Sequence, residues 1–198
     1  MIIVFDLFRG GNPNIGSVFL PAVSDSAQNP NELFDVVDAS DRVIGREPRH
    51  LVHARGLRHR AIHVWLCNAG RVFLQRRSKL KDSAPGCWDS SCSGHLDTGE
   101  TYDQSMRREL SEELGIHSRP PVWPVLKVSA RPETGMEFVW LYRGLYDGPF
   151  SLNPAEVLDG RWFSSNEVDS ALSADPGAFA PAFSFLWNRL RTNAAFDG

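Results

Sequence analysis

The chain has 198 residues, 42% of them hydrophobic and 23% charged, a composition that fits one globular domain and excludes a disordered or fibrous protein. A formal charge of −3 gives no global attraction to nucleic acid or to an anionic membrane surface, so neither is expected as a partner and any basic site must be local. Cys67, Cys87 and Cys92 are odd in number and form no close CxxC pair, which excludes a disulfide framework and disfavours a zinc cluster of Cys87, Cys92 and His95.

In chain order, the apolar start MIIVFDLF lacks a cationic leader and carries Asp6, so it is a poor secretory signal. No run reaches the roughly 18 apolar residues of a membrane span, and the expected location is the cytoplasm. Residues 1–31, rich in Gly, Asn, Pro and Ser, read as an N-terminal extension to a domain over 32–198. LFDVVD and RVIG around the turn ASD predict one hairpin; AIHVWLC (61–67) and RVFLQRR (71–77) around NAG predict a second. REPRHLVHARGLRHR (46–60) carries five arginines and three histidines. It lacks the aromatic interleaving of a single-strand binder, and a local funnel for an anionic substrate is preferred to a solvated loop. DSAPGC is loop chemistry and WDSSCSGH is short and polar. TYDQSMRRELSEELGI is the strongest helix, with a capping box at Thr101 and Gln104 and a stop at Gly115. Strands follow at VWPVLKVSA, MEFVWLYRGLY and GRWF, then helices over about 165–173 and 178–192. Irregular interleaving predicts an α+β fold, or a mixed sheet flanked by helices, over a doubly wound parallel one.

In the helix at 101–115, Met106, Leu110 and Leu114 make an apolar stripe, and Glu109, Glu112 and Glu113 lie side by side along its flank. Glutamates at such spacings repel by roughly 0.2–0.5 kcal/mol a pair, and the last turn is the wrong end of a helix for negative charge. Arg108 can offset only part of it. A hard cation such as Mg²⁺, held by carboxylates and substrate phosphates, would make the cluster useful.

Residues 94–116 run Gly94, five residues, Glu100, seven residues, Arg108-Glu109-Leu110, one residue, Glu112-Glu113, one residue, Gly115-Ile116. This resembles the Nudix box at every defined position. The resemblance implies a mixed-sheet α/β/α sandwich in which the Gly94 carbonyl, Glu109, Glu112 and Glu113 bind Mg²⁺ (or Mn²⁺) that engages a small-molecule diphosphate. A general base near the attacking water is then Glu109, with Glu112 as the alternative, while Glu100 and Arg108 join loop to helix and orient the ligands. HARGLRHRAIHVW, QRRSKLKDSAPGCWDSS and SGH further resemble the subgroup that holds isopentenyl diphosphate isomerase and its hydrolase relatives, over about 32–165. That likeness implies a metal site at His59, His95 and approximately His53, and diphosphate contacts from Arg77 and Lys81, an Arg suiting bidentate phosphate binding and a Lys a point charge.

Two departures count against isomerisation. The isomerases need a cysteine where this chain has Ser93, and of a later carboxylate pair the alignment gives Gly135 and Glu137. Moving a proton on a carbon skeleton needs an acid and a base on opposite faces. The expected activity is therefore Mg²⁺-dependent hydrolysis of a diphosphate joined to another group X. An isomerase and a non-catalytic diphosphate-binding domain are the alternatives. Glu137 and Glu156 are further candidate carboxylates, with the structural reading preferred for each. Oligomeric state is left open, a homodimer included, because FSFLWNRL suits a partner as well as a core.

Overall fold

Strand β3 (His59–Asn68) is the centre of the molecule. In the computed structural model, which describes residues 28–192, seven strands form one mixed sheet around it. Residues 1–27, most of the expected extension, lie outside the described residues, as do 193–198. β3 runs parallel to β8 (Glu137–Leu145) from His59↔Glu137 to Cys67↔Leu145. Its other edge is shared: β4 (Arg71–Arg77) pairs with its end at Leu66↔Phe73, and β6 (Cys92–His95) with its beginning at Ala61↔His95. β5 (Trp88–Asp89) and β9 (Val157–Ser164) extend the sheet from β4, and β7 (Val122–Val128) from β8.

Because successive strand side chains point to opposite faces, β3 feeds two cores. Ile62, Val64 and Leu66 pack with Met106, Leu110 and Leu114 of helix α2 (Tyr102–Leu114). Ala61, Trp65 and Cys67 pack with Phe183, Leu186 and Trp187 of α4 (Pro181–Thr192) and with Val168 of α3 (Ser165–Ala174). Each fully buried large side chain contributes about 1.5–3 kcal/mol. Helices thus cover both faces, the α/β/α sandwich that the resemblance implied.

The caps of α2 are those the sequence prescribes. The Thr101 hydroxyl accepts from Gln104 N, the Gln104 side chain accepts from Thr101 N, and Gly115 closes the helix at φ 66°. A Cβ on Gly115 would come within 2.6 Å of Ser151 Cβ.

The first hairpin is a sheet of its own, β1 (Leu33–Val37) against β2 (Val43–Pro48). It leads into a short helix, α1 (Arg49–Arg55), within the basic segment for which the sequence suggests a substrate funnel or a solvated loop. With only 7 residues, α1 is too short to show a helical period. It exists because Val52 is buried with Phe34 and Val36, and because Gly56 ends it in a left-handed cap. At the hairpin tip, the Asp41 carboxylate accepts from Arg60 Nε (2.6 Å), Lys127 Nζ (2.6 Å) and the Tyr102 hydroxyl (2.9 Å), which pins the hairpin to β3, β7 and α2. Among the described residues, no helix is long and apolar enough to cross a membrane.

Candidate active site

One cavity of about 690 Å³ opens between α1, α2, β6, the loop before β8 and the start of α4. Of the residues singled out from sequence, His53, Arg77, Lys81, Ser93, Gly94, His95, Arg108, Glu109, Glu112, Gly135, Glu137 and Glu156 line it. Glu113, His59 and Glu100 stand behind the lining.

On the α2 side, Gly94 and Glu109 meet so closely that a Cβ at position 94 would lie 2.0 Å from Glu109 Oε1. Only glycine lets the carboxylate reach that strand backbone. Burial, with the Glu113 charge beside it, pushes the Glu109 carboxyl up to about 8 despite Arg108. Glu112 is the open member, its side chain 56% exposed. Arg108 ties the group together: Nη1 donates to Glu109 (2.7 Å) and Glu112 (3.1 Å), and Nη2 to Glu100 (2.9 Å) and to the His95 carbonyl (2.9 Å).

Glu113 is buried and fully engaged. It accepts from Lys81 Nζ (2.9 Å), Gln75 Nε2 (2.8 Å) and Ser93 N (3.1 Å). Burial alone would raise its pKa, but the Lys81 ammonium and these donors hold it below the usual carboxylate range. Lys81 is itself buried, and its ammonium also pairs with Glu156. Arg77 Nη1 donates to Asp89 Oδ2 at 3.0 Å, and its Nε to the Ser83 carbonyl.

On the hairpin side, His53 from α1, His59 from β3 and His95 from β6 bring their ligand atoms within 4.8 Å of one another. Phe34 stacks on His95 and His59 with ring centroids 4.7 and 5.7 Å apart. Arg49 Nη1 lies 3.0 Å from His95 Nδ1. An arginine can only donate, so Nδ1 accepts and a neutral His95 carries its proton on Nε2, directed at Glu137 Oε1 at 2.9 Å. Burial pushes His95 down to about 3, against the pull of Glu137. It also lowers His53, with help from Arg49. Burial would raise Glu137, but the surrounding imidazoles outweigh it and keep the carboxylate ionised. His59 Nε2 is buried without a hydrogen-bond partner, 3.6 Å from Glu137 Oε1.

Both donor groups fit a cation. An unpartnered imidazole nitrogen beside an ionised carboxylate is an arrangement a metal ion completes. Two acids crowded against a strand backbone, one of them driven to hold a proton, are the corresponding arrangement for a hard ion. Sequence reasoning missed Arg49 and Asp82, whose carboxylate accepts from Arg49 Nε (3.0 Å) and Nη2 (3.1 Å). Their positions 33 residues apart left no local signal.

A mixed sheet between helices, with an acidic helix flank facing a cavity large enough for a small-molecule ligand, defines a Nudix-type protein. The NUDIX domain model matches residues 57–183, and the chain belongs to that family. It is 39% identical over 118 residues to an uncharacterised Nudix hydrolase of Streptomyces coelicolor, covering 59% of this chain and 56% of the relative. The chain therefore spans little more than half the length of that relative. It is 32% identical over 158 residues to an isopentenyl-diphosphate Δ-isomerase of Burkholderia multivorans, covering 78% of this chain and 90% of the relative. The crystal structure of DR0079 from Deinococcus radiodurans superposes with a TM-score of 0.72 at 28% identity, covering 80% of this chain and 98% of that one.

Proposed function

We propose that this Nudix-family chain hydrolyses a diphosphate joined to a further group X, using a divalent cation, Mg²⁺ or Mn²⁺, held by the Gly94 carbonyl, Glu109 and Glu112, with Glu113 joining them only where the cation displaces Lys81 from its carboxylate. The observation that carries this reading is the packing of the Glu109 carboxyl onto the side-chain-free Gly94, beside Glu112 and inside the cavity. A cation bound there would withdraw charge from phosphoryl oxygens and acidify a water molecule. The protein supplies the rest. Glu109, whose carboxyl burial and the Glu113 charge push up to about 8 even with Arg108 beside it, would act as a base once a bound cation displaced its proton, and Glu112 is the alternative base. Arg108 fixes both carboxylates, and Glu100 fixes Arg108. Arg77 and Lys81 line the cavity and would meet the diphosphate by sharing the donors that now serve Asp89, Glu113 and Glu156. His53, His59, His95 and Glu137 suit a second ion, which would in turn meet the far phosphate. The setting is a small-molecule reaction in the cytoplasm.

The isomerase reading has the histidine cluster and the Burkholderia relative on its side. Against it, Ser93 occupies the thiol position and Gly135 removes one carboxylate, so the acid and base needed on opposite faces of a carbon skeleton are not both present. Purified protein assayed with Mg²⁺ and Mn²⁺ on nucleoside diphosphates, sugar nucleotides, dinucleotides and isoprenyl diphosphates tests the proposal. Glu109→Gln and Glu112→Gln are expected to lower kcat by roughly 10²–10⁴-fold, with the thermal melt of the exposed Glu112 variant unchanged. Full cation-dependent turnover in both variants would falsify the assignment.

A further inference from the structure

Two of the clustered histidines are held in opposite tautomers. His59 Nδ1 is 2.9 Å from the Leu57 carbonyl, which can only accept, so the ring proton sits on Nδ1. The buried Nε2 then presents a bare lone pair beside Glu137. His95 is stacked on His59 with ring centroids 5.0 Å apart. Its Nδ1 lone pair is taken by Arg49 Nη1 at 3.0 Å, and its proton is on Nε2, 2.9 Å from Glu137 Oε1. Turning the His95 ring over would put carbon against both partners and lose both hydrogen bonds.

The donor that sets this tautomer is permanent. A guanidinium does not lose its proton in a protein, and Arg49 is only 3% exposed. Its Nε and Nη2 are spent on the two oxygens of Asp82, at 3.0 and 3.1 Å, which fixes the plane of the fork and leaves Nη1 aimed at His95. The Phe34 ring lies against the guanidinium, 5.4 Å from its central carbon. Helix α1, the loop after β4 and the hairpin therefore hold Arg49 from three sides.

A neutral imidazole has one proton and one lone pair, and the partner of one nitrogen decides what the other can do. For His95 Nε2 to ligate an ion, the proton must move to Nδ1, where it would face the Arg49 N–H. Ligation by His95 and the Arg49 hydrogen bond exclude one another.

We infer that Arg49 is a positioning residue that keeps His95 out of the coordination sphere and makes it the hydrogen-bond donor that orients Glu137. A divalent ion on this side is then taken by His59 Nε2 and Glu137, with His53 in reach, and positions stay open for water or a phosphate oxygen. The inference rests on the second-ion part of the proposed function and is independent of which diphosphate is cleaved.

The full chain labelled with ¹⁵N at histidine, without metal, tests the lock directly. The His95 ring, identified by its loss in His95→Gln, is expected to carry its proton on Nε2 with a bare Nδ1, and His59 the reverse. Adding Zn²⁺ should shift His59 Nε2 and leave the His95 proton in place. In Arg49→Met, His95 should carry its proton on Nδ1 and answer Zn²⁺ at Nε2. By calorimetry, His95→Gln, which still donates to Glu137, should change wild-type Zn²⁺ affinity by less than about threefold. In the Arg49→Met background the same change should weaken binding by about tenfold or more. Each comparison is made at constant Arg49 charge, so the cycle isolates the ligand.

A proton on Nδ1 of His95 in the wild type, loss of its Nε2 proton on adding Zn²⁺, or equal effects of His95→Gln in the two backgrounds overturns the inference. If Arg49→Met does not fold, the wild-type spectra decide alone. Zn²⁺ that shifts neither ring overturns the second-ion reading, while the metal-free tautomers still uphold or overturn the lock.

Discussion

The two donor groups that face the cavity are built on opposite plans. The acidic group is local: Glu109, Glu112 and Glu113 come from one helix whose caps are encoded within its own sequence, and one arginine, Arg108, collects two of them. The histidine group is assembled at a distance. His53, His59, His95 and Glu137 come from α1, β3, β6 and β8, and are brought together only when the sheet registers β3 against both β6 and β8. The first group can be seen before the chain folds, whereas the second exists only afterwards. Each should fail differently.

The largest effect on stability belongs to Glu113, the member of the acidic group that is buried behind the cavity lining. Glu113→Gln leaves the buried Lys81 with Glu156 as its remaining acidic partner and should cost about 3 kcal/mol. Thermal unfolding would then fall by roughly 6–12 °C. An unchanged melt would mean that the Lys81–Glu113 pair does not hold α2 to the loop that follows β4. On the histidine side, His59→Asn should weaken Mn²⁺ binding, measured by calorimetry, by roughly 10–100-fold, while the α2 glutamates keep their affinity for Mg²⁺. Equal loss at both sites would break the comparison, because it would show that the groups act as one.

A smaller effect is expected at the latch of the hairpin. Burial alone would raise the pKa of Asp41, but hydrogen bonds from Lys127, Arg60 and Tyr102 outweigh it and lower the value below 3.8. A carboxylate with a depressed folded-state pKa stabilises fully above its unfolded value, and that stability is lost as pH falls through the folded one. Asp41→Asn should therefore cost about 1–3 kcal/mol at pH 7, and its melting curve should converge with that of the wild type as pH falls through the depressed folded-state pKa. A gap that persists in acid would show that the loss is not electrostatic. The smallest effect is Thr101→Ala, at about 1 kcal/mol from the lost N-cap. It should lower the melt without altering Mn²⁺ binding by the histidines.

The same contrast decides how much could be read from the sequence. Helix α2 declared its ends through Thr101, Gln104 and Gly115, and the hairpin of β3 and β4 declared its turn at Ala69–Gly70. The Nudix box placed the acidic group because all its members fall within residues 94–116. Helix α1 and the short strands β5 and β6 were not legible, since 7, 2 and 4 residues carry no period and are held by tertiary partners. Resemblance named the three histidines, but nothing in the sequence announced that Arg49 would reach His95 across 46 residues. Nor did it show that Lys81 would neutralise Glu113 across 32.

Strand β6 joins the two plans. Gly94 gives its bare backbone to Glu109, while the next residue, His95, sends its ring toward Glu137. Sliding this strand by a single step along β3 would exchange which residues face which side, and both clusters would be dismantled at once. The chain therefore has one mechanical rail for two chemical stations, and neither can be re-engineered by backbone movement without derailing the other.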